Sequence, residues 1–239
     1  MRWRNIRMLL EEGVTFMRDW FHLRGRLYYD ESLIPTRAVL LCSPHPHLGG
    51  DMENNVIVHI ARTLSAHGCA VMTFDYAGVG NSDGPWTDEM EQFEFWESIM
   101  DSEDYGIVVP DAEAAFDHLL KCLPSQPHVV LVGGYSFGAV TALRVACSRK
   151  VDGAFGISPP VGEYDLSFVE SIECPKYFIS SDQDLACDIG EIKAFCERIN
   201  SSERLSIIPG GDHFFVGQEF RLCSVLMDHL KPHFGLSPA

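Results

Sequence analysis

The sequence predicts an α/β protein built on a mainly parallel β-sheet, with helices packed on both of its faces. Short apolar runs of four to seven residues recur along the chain, and turn residues bound each of them. Most of these runs are separated by segments whose apolar residues repeat with the period of a helix. The runs are almost continuously apolar, which is typical of strands that helices bury on both faces.

The chain opens with two apolar segments, 14–17 and 22–29, that predict an antiparallel pair of strands. Later strands are predicted at 38–43, 69–74, 129–132, 153–157, 177–180 and 205–208. The helices predicted between and after them cover 55–67, 111–123, 137–149, 189–199 and 218–230. No internal repeat or low-complexity linker interrupts this order, so we expect one domain over residues 1–239.

The composition is that of a globular protein, with 46% hydrophobic and 22% charged residues among 239. No apolar run approaches the roughly 20 residues needed to cross a bilayer, and the N-terminus lacks the pattern of a signal peptide. We therefore expect a cytoplasmic location and no membrane span. The net charge of −16 argues against nucleic acid and anionic membranes as partners, because both require a basic surface.

Eight cysteines are scattered along the chain without a C-x-x-C pair, so neither a disulfide framework nor a zinc site is predicted. His45 and His47 are close in sequence, but no third metal ligand is spaced nearby. We expect neither a metal nor another cofactor.

Residues 129–139, VVLVGGYSFGA, join a predicted strand to a turn that contains Ser136. Gly134 to Gly138 match the pattern G-x-S-x-G, and the match lies between a strand and a helix as a nucleophile elbow requires. The helix that follows directs its free N–H groups toward the serine. A phosphate-binding turn would need a Lys and a Ser or Thr after its last glycine, and Ala139 follows instead. The pattern therefore predicts Ser136 as a nucleophile.

A serine nucleophile needs a base, and three histidines follow Ser136 in the chain. His213 comes shortly after the predicted strand 205–208, on the side of the sheet where the serine is expected. His229 falls inside the last predicted helix and His233 lies near the C-terminus, where solvated histidines are common. His213 is therefore predicted as the base.

The acid that orients the base should follow the preceding strand, where Asp182 and Asp184 both occur. Asp182 suits a turn at the end of that strand, and Asp184 stands closer to the usual place of the acid. We favour Asp184 and leave Asp182 open. Asp212 directly precedes His213, so its side chain is expected to point away along the turn.

Two backbone N–H groups are needed to stabilise the oxyanion of an acyl-transfer reaction. Phe137, the residue after the nucleophile, is expected to supply one of them. The other should come from the loop 43–50, which follows the predicted strand 38–43. Proline has no N–H, so the loop leaves His47 or Leu48 as the donor, and we predict His47.

Five segments of the chain resemble small, lid-poor hydrolases related to the dienelactone hydrolases, a branch of the α/β-hydrolase superfamily with an HPHP-x-x-GG loop. They are SPHPHLGGDMENNV (43–56), FDYAGVGNSDG (74–84), GGYSFGA (133–139), ISPPVGEYDLSF (157–168) and GGDHFF (210–215). The resemblance implies the α/β-hydrolase fold, with a mostly parallel sheet of roughly eight strands. It also implies an esterase-like serine hydrolase with the triad Ser136, Asp184 and His213.

The chain departs from that group at three places. Ser43 replaces the first histidine of the HPHP pattern, and Ala77 replaces an arginine that is common in the turn after the second parallel strand. The connection 85–109 is longer than usual, and we expect it either to pad the surface or to form a small cap over the acyl pocket. Its acidic residues are interleaved with Trp86, Phe93, Phe95, Trp96 and Met100.

These features together predict a serine hydrolase that acts on a small-molecule ester or thioester through an acyl-enzyme intermediate. An acyltransferase or a perhydrolase would use the same triad with a different acyl acceptor or nucleophile. A non-catalytic binding protein on the same fold, with the connection 85–109 as its interface, is the alternative from another class. The sequence leaves the oligomeric state open.

Overall fold

The computed structural model describes residues 8–102, 106, 108–201 and 204–236. Its strands are β1 (Leu9–Arg18), β2 (Phe21–Asp30), β3 (Arg37–Cys42), β4 (Cys69–Phe74), β5 (Val129–Tyr135), β6 (Gly153–Ile157), β7 (Lys176–Gln183) and β8 (Leu205–Asp212). Its helices are α1 (Asn55–Ala66), α2 (Glu89–Ser102), α3 (Val109–Cys122), α4 (Phe137–Ser148), α5 (Ile189–Arg198) and α6 (Glu219–Phe234). No helix within these residues is long and apolar enough to cross a membrane.

All eight strands form one sheet in the order β1-β2-β4-β3-β5-β6-β7-β8. The first two strands form the predicted antiparallel hairpin, and β2 also pairs antiparallel with β4. From β4 to β8 every neighbouring pair of strands is parallel. The prediction of an α/β fold with a mostly parallel sheet of eight strands is confirmed.

Two clusters of buried apolar side chains lie on opposite faces of this sheet. Along β3, Val39 and Leu41 join the cluster formed with α1 and α6. Leu40 and Cys42, which alternate with them, join the cluster formed with the other four helices. Successive side chains of a strand point to opposite faces, so helices on both faces require the continuous apolar runs that the sequence shows.

Several strands are longer than their apolar runs predict, β7 and β8 among them. The sequence places the ends of β7 and β8 at residues 180 and 208, whereas the structure extends them to Gln183 and Asp212. These two end residues pair with one another beyond an irregularity in the register after Ser181. The extensions are polar or glycine-rich, so hydrophobic periodicity does not reveal them.

The carboxyl ends of β3, β5, β7 and β8 lie at the same edge of the sheet, because these strands run parallel to each other. Ligands of open α/β sheets bind in the crevice beyond this edge. The segments that follow these strands contain all of the residues predicted for the site.

Candidate active site

Ser136 lies in the sharp turn between β5 and α4. Its backbone has φ of 54° and ψ of −124°, a conformation that residues other than glycine rarely adopt and that stores strain. A hydrogen bond holds the turn in place: the Ser136 N–H donates to the carbonyl of Ile157, with 2.8 Å between nitrogen and oxygen. A Cβ added at Gly134 would lie 2.0 Å from the carbonyl oxygen of Gly138, so this turn requires the small residue that the pattern predicted.

A chain of hydrogen bonds joins Ser136, His213 and Asp184. Nε2 of His213 lies 3.2 Å from Oγ of Ser136, and Nδ1 of His213 lies 2.7 Å from Oδ1 of Asp184. The side chains of His213 and Asp184 are 6% and 0% exposed, so water competes little with their contact. A serine oxygen, an imidazole and a carboxylate in this order can transfer a proton away from the serine.

Asp184 has further partners that hold its carboxylate in place. Its Oδ1 also accepts the amide hydrogen of Ala186 at 3.0 Å, and the hydroxyl of Ser180 donates to Oδ2 at 3.4 Å. Asp182, the alternative that the sequence left open, accepts the amide hydrogen of Gly210 at 2.7 Å instead. The structure therefore brings Asp184, and not Asp182, to His213.

The other acids and histidines considered from the sequence have partners elsewhere. Oδ1 of Asp212 accepts the amide hydrogens of Phe214 and Phe215 within its own turn. Nε2 of His229 lies 2.9 Å from the Ser206 hydroxyl, and His233 packs its ring near Tyr177.

Tyr135 supports the loop that carries His213, a role that the sequence did not predict. Its hydroxyl donates to the backbone carbonyl of His213 at 2.7 Å, and the two rings are 5.3 Å apart. Burial raises the pKa of Tyr135 well above its ordinary value, so the hydroxyl keeps the hydrogen that it donates.

The loop after β3 contains a short 3₁₀ turn, Pro46–Leu48, and its backbone differs from the prediction. The N–H of His47 donates to Nδ1 of His45 at 3.2 Å, and the N–H of Leu48 donates to the carbonyl of His45 at 3.0 Å. His47 and Leu48, the two candidates that the sequence left for the second oxyanion donor, thus both donate within their own loop. In this structure the hydrogen of His47 is directed at Nδ1 of His45, which does not favour the predicted role of this N–H as an oxyanion donor.

His45 is a further residue of this loop that borders the site. It lines the same cavity as Ser136 and Phe137, and within the described part of the chain its amide N–H meets no hydrogen-bond acceptor. Its imidazole is only 3% exposed. Burial, and secondarily the neighbouring His47, lower the pKa of the His45 imidazole to about 4, so the ring is neutral at neutral pH.

The helix α2 lies beside this loop. The ring of Phe93 stacks on His47 with centroids 4.7 Å apart, and Oε1 of Glu97 lies 3.2 Å from Nδ1 of His47. Trp96 is buried against the ring of His45. None of the described residues of the connection 85–109 lines the cavity, and the side chain of Met100 lies outside the description.

A cavity of about 290 Å³ opens in front of Ser136. Most of its lining is apolar or aromatic, and Glu163 is the one acidic residue among the described residues that line it. Within that same part of the chain no Lys or Arg lines the cavity. The lining residues are Pro44, His45, Leu48, Asn54, Tyr135, Ser136, Phe137, Pro160, Glu163, Tyr164, Leu185, Ala186, His213 and Phe214.

The rings of His45 and His47 have their centroids 5.5 Å apart. Among the described residues, no group of three or more His, Cys, Asp or Glu side chains could hold a metal ion.

The family model for serine aminopeptidase, S33, matches residues 47–169, about half of the chain. The matched segment includes Ser136 and α2, and it ends before Asp184 and His213. An uncharacterized protein of Rickettsia prowazekii (strain Madrid E) is 28% identical over 219 residues, which cover 87% of this chain and 84% of that protein.

Solved structures of two proteins share the fold over almost their whole length. An α/β serine hydrolase homologue from Coxiella burnetii has a TM-score of 0.77 and 24% identity, and the match covers 92% of this chain and 97% of that one. An α/β serine hydrolase without a lid from Xanthomonas campestris has a TM-score of 0.78 and 22% identity, with 95% and 97% covered.

Proposed function

The chain belongs to the serine aminopeptidase S33 family of α/β serine hydrolases, and on this premise we propose that it hydrolyses a small carboxylic ester. The observation that carries the proposal is the chain of hydrogen bonds from Asp184 through His213 to Ser136, at the carboxyl ends of three parallel strands. The strained turn at Ser136 adds to it, because such strain is found where a nucleophile must be presented.

In the proposed reaction, Ser136 Oγ attacks the carbonyl carbon of the ester while Nε2 of His213 takes the hydroxyl hydrogen. Asp184 accepts the Nδ1 hydrogen and holds the imidazole in the orientation that leaves Nε2 free to act as base. His213 then returns the proton to the departing alcohol, and an acyl group stays bonded to Ser136. Water attacks this acyl group by the same route and releases the carboxylic acid.

The negative charge that forms on the carbonyl oxygen needs hydrogen-bond donors beside Ser136. We assign this role to the backbone N–H of Phe137, the first residue of α4, and to the backbone N–H of His45. His45 is supported by its place in the cavity lining and by the engagement of the His47 and Leu48 amides elsewhere.

The size and chemistry of the cavity support a small, uncharged acyl group. Its volume of about 290 Å³ is at the lower end of the range for ligand pockets. The apolar side chains of Leu48, Leu185 and Phe214 line it, so burial of a short aliphatic or aromatic group would contribute to binding.

A second candidate is hydrolysis of the amide bond after an N-terminal amino acid, the reaction that the family's description names. The observation that favours it is Glu163, whose carboxylate would pair with a substrate ammonium group in a cavity that presents no basic residue among the described ones. Comparison of p-nitrophenyl esters with aminoacyl p-nitroanilides separates the two candidates, since only the second requires the ammonium group.

Covalent labelling tests the proposed nucleophile without knowledge of the natural substrate. Wild type should react with a fluorophosphonate probe and turn over short p-nitrophenyl esters, and Ser136→Ala should lose both activities. Intact-mass and peptide analysis should locate the adduct on Ser136. Labelling that persists in Ser136→Ala, or an adduct on another residue, would contradict the assignment.

The acid is tested with a matched pair of variants. Asp184→Asn should lower kcat for an ester by about 10³- to 10⁴-fold, because the amide group stabilises the wrong imidazole tautomer. Asp182→Asn, two residues away, should keep kcat within about threefold, since its partner is the Gly210 amide. A large loss in Asp182→Asn and a small one in Asp184→Asn would reverse the assignment.

A further inference from the structure

The imidazole of His45 has no part in the proton transfers proposed above, which use only the backbone of this residue. The ring is nevertheless almost fully buried next to the nucleophile, at the start of the 3₁₀ turn Pro46–Leu48. A polar ring is costly to bury unless it makes a compensating contact. For Nδ1 the structure supplies that contact, and its position points to a role.

Nδ1 of His45 caps the 3₁₀ turn. It accepts the N–H of His47 at 3.2 Å, in the way that a Ser or Asp oxygen caps the first turn of a helix. The carbonyl of the same residue accepts the amide hydrogens of Leu48 and Gly50, at 3.0 and 3.1 Å. One residue therefore fixes the peptide units that follow it through both its side chain and its backbone.

This cap needs a neutral imidazole with its hydrogen on Nε2, because only then is Nδ1 an acceptor. Burial favours the neutral ring, since it lowers the pKa of His45. The orientation of the ring is thus tied to the backbone of its own loop.

Ring contacts tie His45 to the residue after the nucleophile. The rings of His45 and Phe137 meet edge to face, with centroids 5.1 Å apart and an angle of 84° between their planes. Both rings also contact the buried ring of Trp96 from α2, at 5.4 Å for His45 and 6.2 Å for Phe137. The two residues assigned as oxyanion donors are therefore held against each other and against a third side chain.

We propose that the His45 imidazole is a positioning residue, which orients its own backbone N–H toward the oxyanion by capping the 3₁₀ turn through Nδ1. The inference rests on the proposed function, because it concerns the donor to a transition state at Ser136. A merely structural role for the buried ring makes a different prediction, namely that any aromatic side chain of similar size serves equally well.

Two variants distinguish the effect of the hydrogen-bond acceptor Nδ1 from the effect of the aromatic ring contacts. His45→Phe keeps an aromatic ring for Trp96 and Phe137 but has no acceptor for the His47 N–H. His45→Asn has a short side chain that loses the ring contacts but offers an oxygen to that N–H, as asparagine does at helix N-caps.

The rate constant for labelling of Ser136 by a fluorophosphonate is measured for wild type and both variants, together with kcat and KM for an ester that wild type turns over. We expect His45→Phe to lower the labelling rate and kcat by about tenfold or more with KM unchanged, since misplacement of an oxyanion donor affects the transition state. His45→Asn should recover the rate to within about threefold of wild type, because the cap is restored. The melting temperature of each variant is measured as well, and we expect that it does not follow the order of the labelling rates.

A wild-type rate in His45→Phe would overturn the positioning role, as would equal losses in the two variants. Failure of the proposed function has a different signature, which is the absence of labelling at Ser136 in the wild-type protein itself.

Discussion

At the residue scale, the proposal that His45 supplies the second oxyanion donor depends on a single backbone N–H. His45 has φ of −63°, the value that a proline ring imposes, so His45→Pro removes the N–H at a backbone angle that proline accepts. The matched control is His45→Ala, which also lacks the imidazole but keeps the N–H. We expect kcat and the labelling rate of His45→Pro to be about 10²-fold below those of His45→Ala.

The comparison is informative only if both variants fold, which their circular dichroism spectra and melting temperatures establish. Equal rates in the two variants would mean that another group of the loop, and not the His45 N–H, faces the oxyanion.

The difference between His45 and His47 shows how far individual residues could be predicted from the sequence. Ser136 and His213 follow strands in a recognisable order, and the structure brings them together with Asp184. Which backbone N–H of the loop after β3 is left without an acceptor depends on the hydrogen bonds within that loop. One of these is the bond from the His47 N–H to Nδ1 of His45. Proline chemistry excluded Pro46, but no local pattern indicates that a histidine side chain acts as the cap.

At the scale of elements, the connection 85–109 illustrates the limits of periodicity. Its aromatic residues at near-helical spacing favoured burial, and α2 does bury Trp96 and Ile99. The sequence offered a cap or surface padding as its role, whereas the helix lies against the loop that presents His45 and His47. The partner of a helix face is set by tertiary packing, which a single sequence does not specify.

The contacts of α2 with that loop predict a functional effect without any contact with substrate. The double variant Phe93→Ala, Glu97→Ala removes the two side chains of α2 that contact His47, so the loop should sample more conformations. We expect the fluorophosphonate labelling rate to fall by about threefold to tenfold, less than in His45→Phe, because the Nδ1 cap is retained.

Glu94→Ala is the control for this change, since Glu94 is an exposed acid of the same helix. Its labelling rate should equal that of wild type. If the double variant also labels at the wild-type rate, the contacts of Phe93 and Glu97 with His47 do not affect the site.

At the scale of the whole molecule, the alternation of strands and helices was the most predictable property. Each apolar run became a strand, because helices cover both faces of the sheet and bury most side chains of its central strands. The sequence did not predict the ends of β7 and β8, because Gln183 and Asp212 pair through their backbones and need no apolar side chains. The expectation of one domain over residues 1–239 stays a prediction.

The charge of the whole molecule yields the last prediction, which concerns the sign of the substrate. The chain carries a net charge of −16, and no Lys or Arg lines the cavity within the described part of the chain. Long-range repulsion should therefore slow the approach of an anionic ester, and salt should relieve that repulsion.

The test compares two aryl butyrates that deliver the same acyl group and whose leaving groups differ by one sulfonate. As ionic strength rises from about 10 to 300 mM, kcat/KM for the sulfonated ester should increase by about threefold to tenfold, while the neutral ester changes little. A decrease for the sulfonated ester would instead reveal an attractive cation near the cavity mouth, and the net charge would then not govern access to Ser136.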